Sequence, residues 1–368
     1  MWAGFAAYVG VVWKAPRLGK RVVWGLILVL LAAFALAPVI LSHDVYSYVD
    51  YARLGVKHGL DPYVNEPDSA PGDAAFAHVT WIDAKSAYGP LFTLLTYPLA
   101  WLPVSVAVAV LKAVAAASVL AIAALVARMA AWRGVDPLRA AAFVALNPLV
   151  LVHVVGGAHN DALTMLLATA GVAAVLSRRE LTGGAALLAA AATKLSATFL
   201  APFALVATAT SPPTGRKPLH AIGFRPVGRL LVGALGAAVA IGVGAYLAFG
   251  WDWLRGFSLA GENQSRTSHM SIPTTFARIS GLGPNGVRVA AAILFAALVI
   301  YLLLWTYRGG DWIRASAWTA FALLLATAWL LPWYLLWPLP LVAISRDRAL
   351  QLLTLALTAY QLGARIPL

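Results

Sequence analysis

The sequence predicts an all-α fold, a polytopic transmembrane helical bundle of about 10–11 membrane segments, some of them short broken hairpins. Three observations predict it. Apolar side chains make up 61% of the 368 residues and charged ones only 11%, against roughly 45–50% and 25% in a globular domain. Mean hydropathy is +0.81, and apolar runs long enough to cross a bilayer recur along the chain. Charge also sorts by loop, with 27 Lys+Arg against 14 Asp+Glu. The whole of 1–368 reads as one membrane domain without a soluble appendage. The absence of cysteine excludes disulfides, thiolate metal ligands and thiol catalysis. Excess positive charge in such a chain points to membrane lipid headgroups or phosphates as partners and not to nucleic acid.

The elements follow in order. Met1–Trp13 is apolar and aromatic, and its basic cluster comes after the apolar part, the reverse of a secretory signal. Trp2, Phe5, Tyr8 and Val9 recur at helical spacing, so residues 1–21 are expected to form a cytoplasmic, interfacial N-terminus. Lys14, Arg17, Lys20 and Arg21 precede the first clear span, Val22–Leu41. The segment Ser42–Tyr88 then holds seven acids against three bases. Other short loops are basic, for example Arg128, Arg133 and Arg139, or Arg216, Lys217, Arg225 and Arg229. Lys and Arg accumulate on the cytoplasmic side. The N-terminus is therefore expected inside the cell membrane, and Ser42–Tyr88 outside as a first extracytoplasmic loop carrying interfacial helices. A second large outer loop is expected over 251–286.

Further spans read as Val104–Ala127, Ala140–Gly156, Ala162–Ser177, Gly228–Gly250, Val287–Tyr307 and Ala349–Leu362. Thr182–Thr208 and Ala315–Ser345 each have basic residues at both ends, so each needs an even number of crossings. Both are expected to be hairpins of two short helices, broken near Lys194 and near Pro332, with tips toward the outer side. Such breaks survive in a bilayer only when buried in protein or lining a cavity.

Candidate functional residues cluster at that outer side. Asp44 follows the first span and opens an amphipathic helix, Asp44–Leu54, that ends near Gly59 before the turn Leu60-Asp61-Pro62-Tyr63. It serves either as a helix cap or as a general base at the membrane surface. His159, Asn160 and Asp161 lie consecutively between two closely spaced spans. A cap accounts for one of them, but three polar residues at a membrane edge are costly. His153 reads as packing or as the inner wall of the same cavity. Lys194 lies in the middle of an apolar stretch and needs a partner, for which a phosphate is the natural choice. Lys112 is a weaker instance, because it could snorkel. Gly261–Ile279 brings Arg266, His269 and Arg278 close in sequence, as a solvated loop or an anion site. Trp333 and Tyr334 lie in an aromatic run that is either an interfacial belt or a platform for a sugar. No nucleotide-binding loop or zinc pair is present, so an activated donor would come from the membrane.

Taken together, His43-Asp44-Val45-Tyr46-Ser47-Tyr48, Gly59-Leu60-Asp61-Pro62-Tyr63, Tyr88-Gly89-Pro90-Leu91, Asn147-Pro148, Gly157–Leu163 and Pro332-Trp333-Tyr334-Leu335-Leu336-Trp337 resemble the GT-C superfamily of membrane glycosyltransferases. The chain looks most like the bacterial polyprenyl-phosphate-mannose-dependent α-mannosyltransferases of lipomannan and phosphatidylinositol-mannoside assembly. The resemblance implies a catalytic acid in the first outer loop, which falls on Asp44. It implies a polyprenyl-phosphate sugar donor, a glycolipid or glycan acceptor, and basic residues that hold the donor phosphate at the extracytoplasmic face. His43, Tyr48, His159, Asn160, Asp161, Lys194, Arg266, His269, Arg278, Trp333 and Tyr334 become the substrate-binding candidates. The family's second outer-loop acid has two candidates here, Asp50 and Asp61. Many of these enzymes carry more spans after the core, whereas this chain stops at Leu368. The reaction implied is an inverting displacement that needs neither cofactor nor metal. A metal on His43, Asp44, His159 and Asp161 is the alternative. A transporter or flippase for a lipid-linked sugar is the other functional class, since broken hairpins with polar tips also build transporters.

Overall fold

The computed structural model describes residues 2–39, 41–210, 224–263 and 266–363. The Arg216 and Lys217 part of the basic stretch lies outside the described residues. Every regular element described is helical. Four helices are long and apolar enough to cross a membrane: Trp2–Leu36, Val104–Trp132, Arg225–Phe249 and Pro284–Tyr307. With the shorter apolar helices they make a multi-pass helical bundle.

Helix α1 (Trp2–Leu36) is two legs. Gly19 has φ 77° and ψ 165°, a left-handed conformation that glycine adopts without a Cβ penalty, and the chain turns back there. Tyr8, Val12 and Ala15 of the first leg are buried in the main core. The Tyr8 hydroxyl donates to the Phe143 carbonyl at 2.7 Å. Trp13 lies beside the guanidinium groups of Arg139 and Arg348, and Trp2 packs against Gly363. Arg348 and Gly363 are the two ends of a single helix, Arg348–Gly363, so the first leg runs antiparallel along it. Of Trp2, Phe5, Tyr8 and Val9, Tyr8 is buried, Phe5 and Val9 are half-buried and Trp2 is 50% exposed. The second leg buries Val23, Ile27 and Leu31 at helical spacing. It ends before Pro38, where Lys112 donates to the carbonyls of Ala37 and Pro38. Lys112 therefore satisfies the end of a helix and does not snorkel.

Helix α2 (Asp44–His58) is closed by Gly59 at φ 67°, as the sequence predicts. Residues 47–54 of it are buried on all faces, against the 90–101 stretch, the helix Val104–Trp132 and the turns of their own loop. Arg53 donates to Asp73 at 2.6 Å and to the Ala100 carbonyl at 3.1 Å. Tyr51 donates to the Ala84 carbonyl at 2.7 Å. A short helix, α3 (Pro90–Thr96), follows and has no counterpart in the predicted spans.

Helix α4 (Val104–Trp132) leads to α5 (Pro137–Ala145), whose start is capped by Asp136. The predicted span Ala140–Gly156 is broken at Asn147-Pro148. There the Asn147 side chain accepts from Leu149 N–H and donates to Thr358, and a π-helical turn, Val150–Val155, follows. Helix α6 (Asp161–Leu176) and α7 (Glu180–Thr193) form an antiparallel pair. The chain becomes extended at Lys194 and re-enters as α8 (Leu200–Thr210), so the break falls where the sequence places it. Helix α9 (Phe224–Phe249) packs closely on α7. A Cβ on Gly184 would stand 1.9 Å from the Leu230 carbonyl oxygen, and one on Gly233 1.9 Å from that of Leu181. Such small-residue contacts let transmembrane helices approach without a hydrophobic driving force.

The 251–286 region folds into α10 (Arg255–Asn263) and α11 (Ile272–Ser280). Helix α12 (Pro284–Tyr307) and α13 (Trp312–Ala326) follow. The second predicted break holds the turn Pro332–Leu336, then α14 (Leu339–Ile344) and α15 (Arg348–Gly363). Ser268 bonds to the backbone of Ala328 and Leu330, and Tyr360 of α15 donates to the Met270 carbonyl. The Gly363 end of α15, and Trp2 with it, therefore lies at the same end of the bundle as Arg266 and the Pro332 turn. The N-terminus, expected on the side opposite the site, lies at the site end. The basic turn around Gly19 is the part at the far end.

Candidate active site

Five segments meet at that end around a cavity of about 1040 Å³. They are the start of α2, the 81–88 stretch, the α7–α8 break, the residues after α10, and the 327–337 turn. Asp44, Tyr48, Lys194, Arg266, Trp333 and Tyr334 line it.

Asp44 is the first residue of α2, and no side chain caps that helix start. The capping reading of Asp44 does not hold. Its Oδ1 accepts from the Trp81 indole N–H at 3.2 Å, and its Oδ2 stands 3.7 Å from His159 Nδ1, too far for a hydrogen bond. Burial raises the Asp44 carboxyl above the ordinary carboxylate range, and the Asp161 charge adds to this. The Trp81 and Ser42 hydrogen bonds and the Lys194 charge act in the opposite direction.

The His159 imidazole is buried and stacked on Trp333, with centroids 3.7 Å apart and planes at 17°. Burial, then the charges of Lys194 and His153, push its pKa far down, so it is neutral beside Asp44. Asp161 does not cap α6 either. Its side chain is fully buried; Oδ2 meets Lys194 Nζ at 2.8 Å and Oδ1 accepts from the Trp337 indole at 2.6 Å. Lys194 also lies over the rings of Tyr334 and Trp337, 5.0 and 5.8 Å from their centroids, and these rings stack on each other at 4.2 Å. Arg266 lies beside both Trp81 and Trp329, 5.0 Å from each ring. Guanidinium faces bind aromatic faces well while leaving the N–H edge free for an anion.

Asn160 is buried behind this wall and does not line the cavity. His43, which touches Tyr46 edge-on, and His269 and Arg278 also lie outside its lining. Asp50 and Asp61 are outside too: Asp50 is buried beside the Arg53–Asp73 pair, and Asp61 accepts from Tyr63 N–H at 2.8 Å. Among the described residues no three His, Cys, Asp or Glu side chains gather as a metal site. His43, Asp44, His159 and Asp161 therefore do not form the metal set considered from sequence. Trp81 and Trp329 were not singled out from the sequence. They look like two tryptophans among fourteen, and only the fold brings them to one guanidinium.

The described residues thus form a multi-pass helical bundle with acidic, basic and aromatic side chains around one cavity. The profile described as "Alpha-(1->6)-mannopyranosyltransferase, N-terminal domain" matches residues 1–210, and the chain belongs to that family. It is 30% identical over 338 residues to Alpha-(1->6)-mannopyranosyltransferase A of Mycobacterium tuberculosis, covering 85% of this chain and 63% of the relative. A probable alpha-(1->6)-mannopyranosyltransferase of Mycolicibacterium smegmatis is 28% identical, over 88% of this chain and 65% of the relative. A third, Alpha-(1->6)-mannopyranosyltransferase A of Corynebacterium glutamicum, is 28% identical over 50% of this chain and 37% of its own. The chain thus spans less than two thirds of the length of these relatives. No solved structure matches it.

Proposed function

We propose that the chain is an inverting membrane mannosyltransferase. It transfers mannose from a polyprenyl-phosphate-linked donor to a hydroxyl of a glycolipid or glycan acceptor at the extracytoplasmic face. One observation carries this reading: Asp44, which caps nothing, shares a cavity with Lys194 and Arg266. A base and a phosphate clamp are the two parts that displacement at an anomeric carbon needs.

In the reaction Asp44 takes the acceptor proton as the acceptor oxygen bonds to the anomeric carbon. The bond from that carbon to the phosphate oxygen breaks, and the phosphate leaves with the electron pair. Lys194 and Arg266 take up the charge that develops on it. Burial of Asp44 suits the role, because it makes the carboxylate a stronger base. Trp333 and Tyr334 offer ring faces to the sugar. Apolar residues on the same cavity, including Phe199, Phe295 and Val299, suit the first prenyl units of the donor.

The test is transfer from a radiolabelled polyprenyl-phosphate-mannose donor to a mannan-type acceptor by purified protein in detergent. Labelled product made by the wild type and not by Asp44→Asn is expected. Donor movement across vesicles without product would favour the transporter reading instead.

A further inference from the structure

Trp81 touches both halves of the proposed chemistry. Its indole N–H donates to Asp44 Oδ1 at 3.2 Å, and its ring lies 5.0 Å from the Arg266 guanidinium. Trp329 also lies 5.0 Å from that guanidinium, and the two indoles are 6.2 Å apart at 61°, so the two rings are neighbours around it and not on opposite faces. Three separate segments are joined in this way: the first large loop, the stretch after α10, and the 327–337 turn.

From this geometry we infer that Trp81 is a positioning residue that links the aim of the Asp44 carboxylate to the seating of Arg266. The inference rests on the proposed function. With Oδ1 occupied by the indole, Oδ2 is the oxygen left to receive the acceptor proton. His159 Nδ1, at 3.7 Å, is too far to hydrogen-bond to it. The ring meanwhile holds Arg266 flat, so that its N–H edge is the part available to an anion. A phosphate that draws Arg266 into the cavity therefore pulls on the same indole that orients the base. Trp81 is 38% exposed, so its place is set by these two contacts more than by burial.

The groups that face Asp44 from the surrounding elements are Lys194, Asp161, His159, Tyr48 and Tyr334. A change at Trp81 leaves all of these in place. The indole hydrogen bond favours the ionised carboxylate, so its loss makes Asp44 harder to deprotonate.

Two variants separate the two contacts. Trp81→Phe keeps a ring for Arg266 and removes the N–H. Its kcat is expected to fall about tenfold through misaim of the base, with the acidic limb of the pH–rate profile moved to higher pH and donor KM near normal. Trp81→Leu removes both, and donor KM is expected to rise as well. Trp81→His, which restores a ring and an N–H, is expected to recover part of kcat. Thermal stability of each variant in detergent is measured alongside, so that a folding defect is seen separately. An unmoved acidic limb and unchanged kcat in a stable Trp81→Phe would overturn the inference while leaving the proposed function intact. Full turnover in Asp44→Asn would instead remove the reading on which it rests.

Discussion

Lys194 and Asp161, 33 residues apart in sequence, meet at 2.8 Å inside the bundle, with the Asp161 side chain wholly buried. The cation that the sequence marks as needing a partner has an internal one. Its remaining exposure, 18% of the side chain, faces the cavity. Lys194 is thus held in place by a carboxylate and two aromatic rings while presenting charge to a ligand.

The first prediction concerns this pair. Lys194→Ala leaves Asp161 as a buried, unpaired charge, which costs about 3–5 kcal/mol and lowers the Tm in detergent. Lys194→Arg keeps the pair and loses little. Donor binding, read by titration with the lipid-linked sugar, weakens more in Ala than in Arg. The double variant Lys194→Met/Asp161→Asn regains stability but not donor affinity. A normal Tm in Lys194→Ala would show that the pair does not hold the α7–α8 break.

Helix contact is the second test. Gly184→Val and Gly233→Val place side-chain atoms where backbone carbonyls of α9 and α7 already stand. Overpacking of this kind costs roughly 1–3 kcal/mol. Gly236→Val, where a Cβ meets nothing within 4 Å, is the control. Thermal denaturation of the three variants distinguishes close packing from a general intolerance of valine in α9.

The third prediction is topological. Trp2 lies against Gly363 at the site end, and the Gly19 turn lies at the other. Because the chain has no cysteine, single cysteines report cleanly. Cysteines at Ala3 and Ser69 are expected to label from the same side, and one at Lys20 from the opposite side. Ala3 and Lys20 labelling together, away from Ser69, would restore the interfacial N-terminus.

A fourth prediction concerns pH. Burial, and then the charge of Asp73, raise the Asp50 carboxyl to about 7, against the opposing charges of His58 and Arg53. Between the unfolded value near 3.8 and about 7 the folded chain holds the extra proton, so stability falls as pH rises through that window. Asp73 behaves oppositely. Burial would raise it, but hydrogen bonds from Arg53, Ala75 N–H and His58 bring it down to about 2. The stability it contributes is present above about 3.8 and is lost as pH falls toward 2. Asp50→Asn should raise the Tm at pH 8 by about 2–4 °C and flatten the slope between pH 4 and 7. An unchanged slope would mean that Asp50 is ionised in the fold.

The sequence was informative where physics acts locally. The start of α2, its Gly59 stop, and the breaks at Lys194 and near Pro332 all follow from charge, glycine and proline positions. What it hid is pairwise. Nothing in the spacing of Tyr8, Val12 and Ala15 distinguishes a face buried by α5 and α15 from one lying in lipid headgroups. Asp161 and Lys194 were each conspicuous, but not as partners. Trp81 and Trp329 carry no local signal, because a cation–aromatic cluster depends on three loops meeting. His269 and Arg278 show the converse: nearness to Arg266 in sequence did not place them in the cavity.

The last prediction returns to Asp44, on which the proposed chemistry depends. A cap would leave the carboxylate bonded to backbone N–H groups of α2. Instead, one oxygen is held by Trp81, and the other stands 3.7 Å from His159 Nδ1. Asp44→Asn therefore keeps the side chain's size and an oxygen for the indole while removing the basicity. The expected result is a separation of effects: expression, Tm and donor affinity close to wild type, and transfer reduced by about 10²-fold or more. The pH profile adds a second reading. Because burial raises the Asp44 carboxyl and the base acts ionised, wild-type turnover should fade on its acidic side at a pH above that of an ordinary carboxylate. In Asp44→Asn the residual rate should lose that limb. Asp44→Ala, which also gives up the Trp81 bond, should loosen the loop and lower the Tm as well. If Asp44→Asn turned over at the wild-type rate, the base would have to be sought among the other acids at this end of the bundle. Asp161 would then be the next acid to test, although both of its oxygens are already engaged by Lys194 and Trp337.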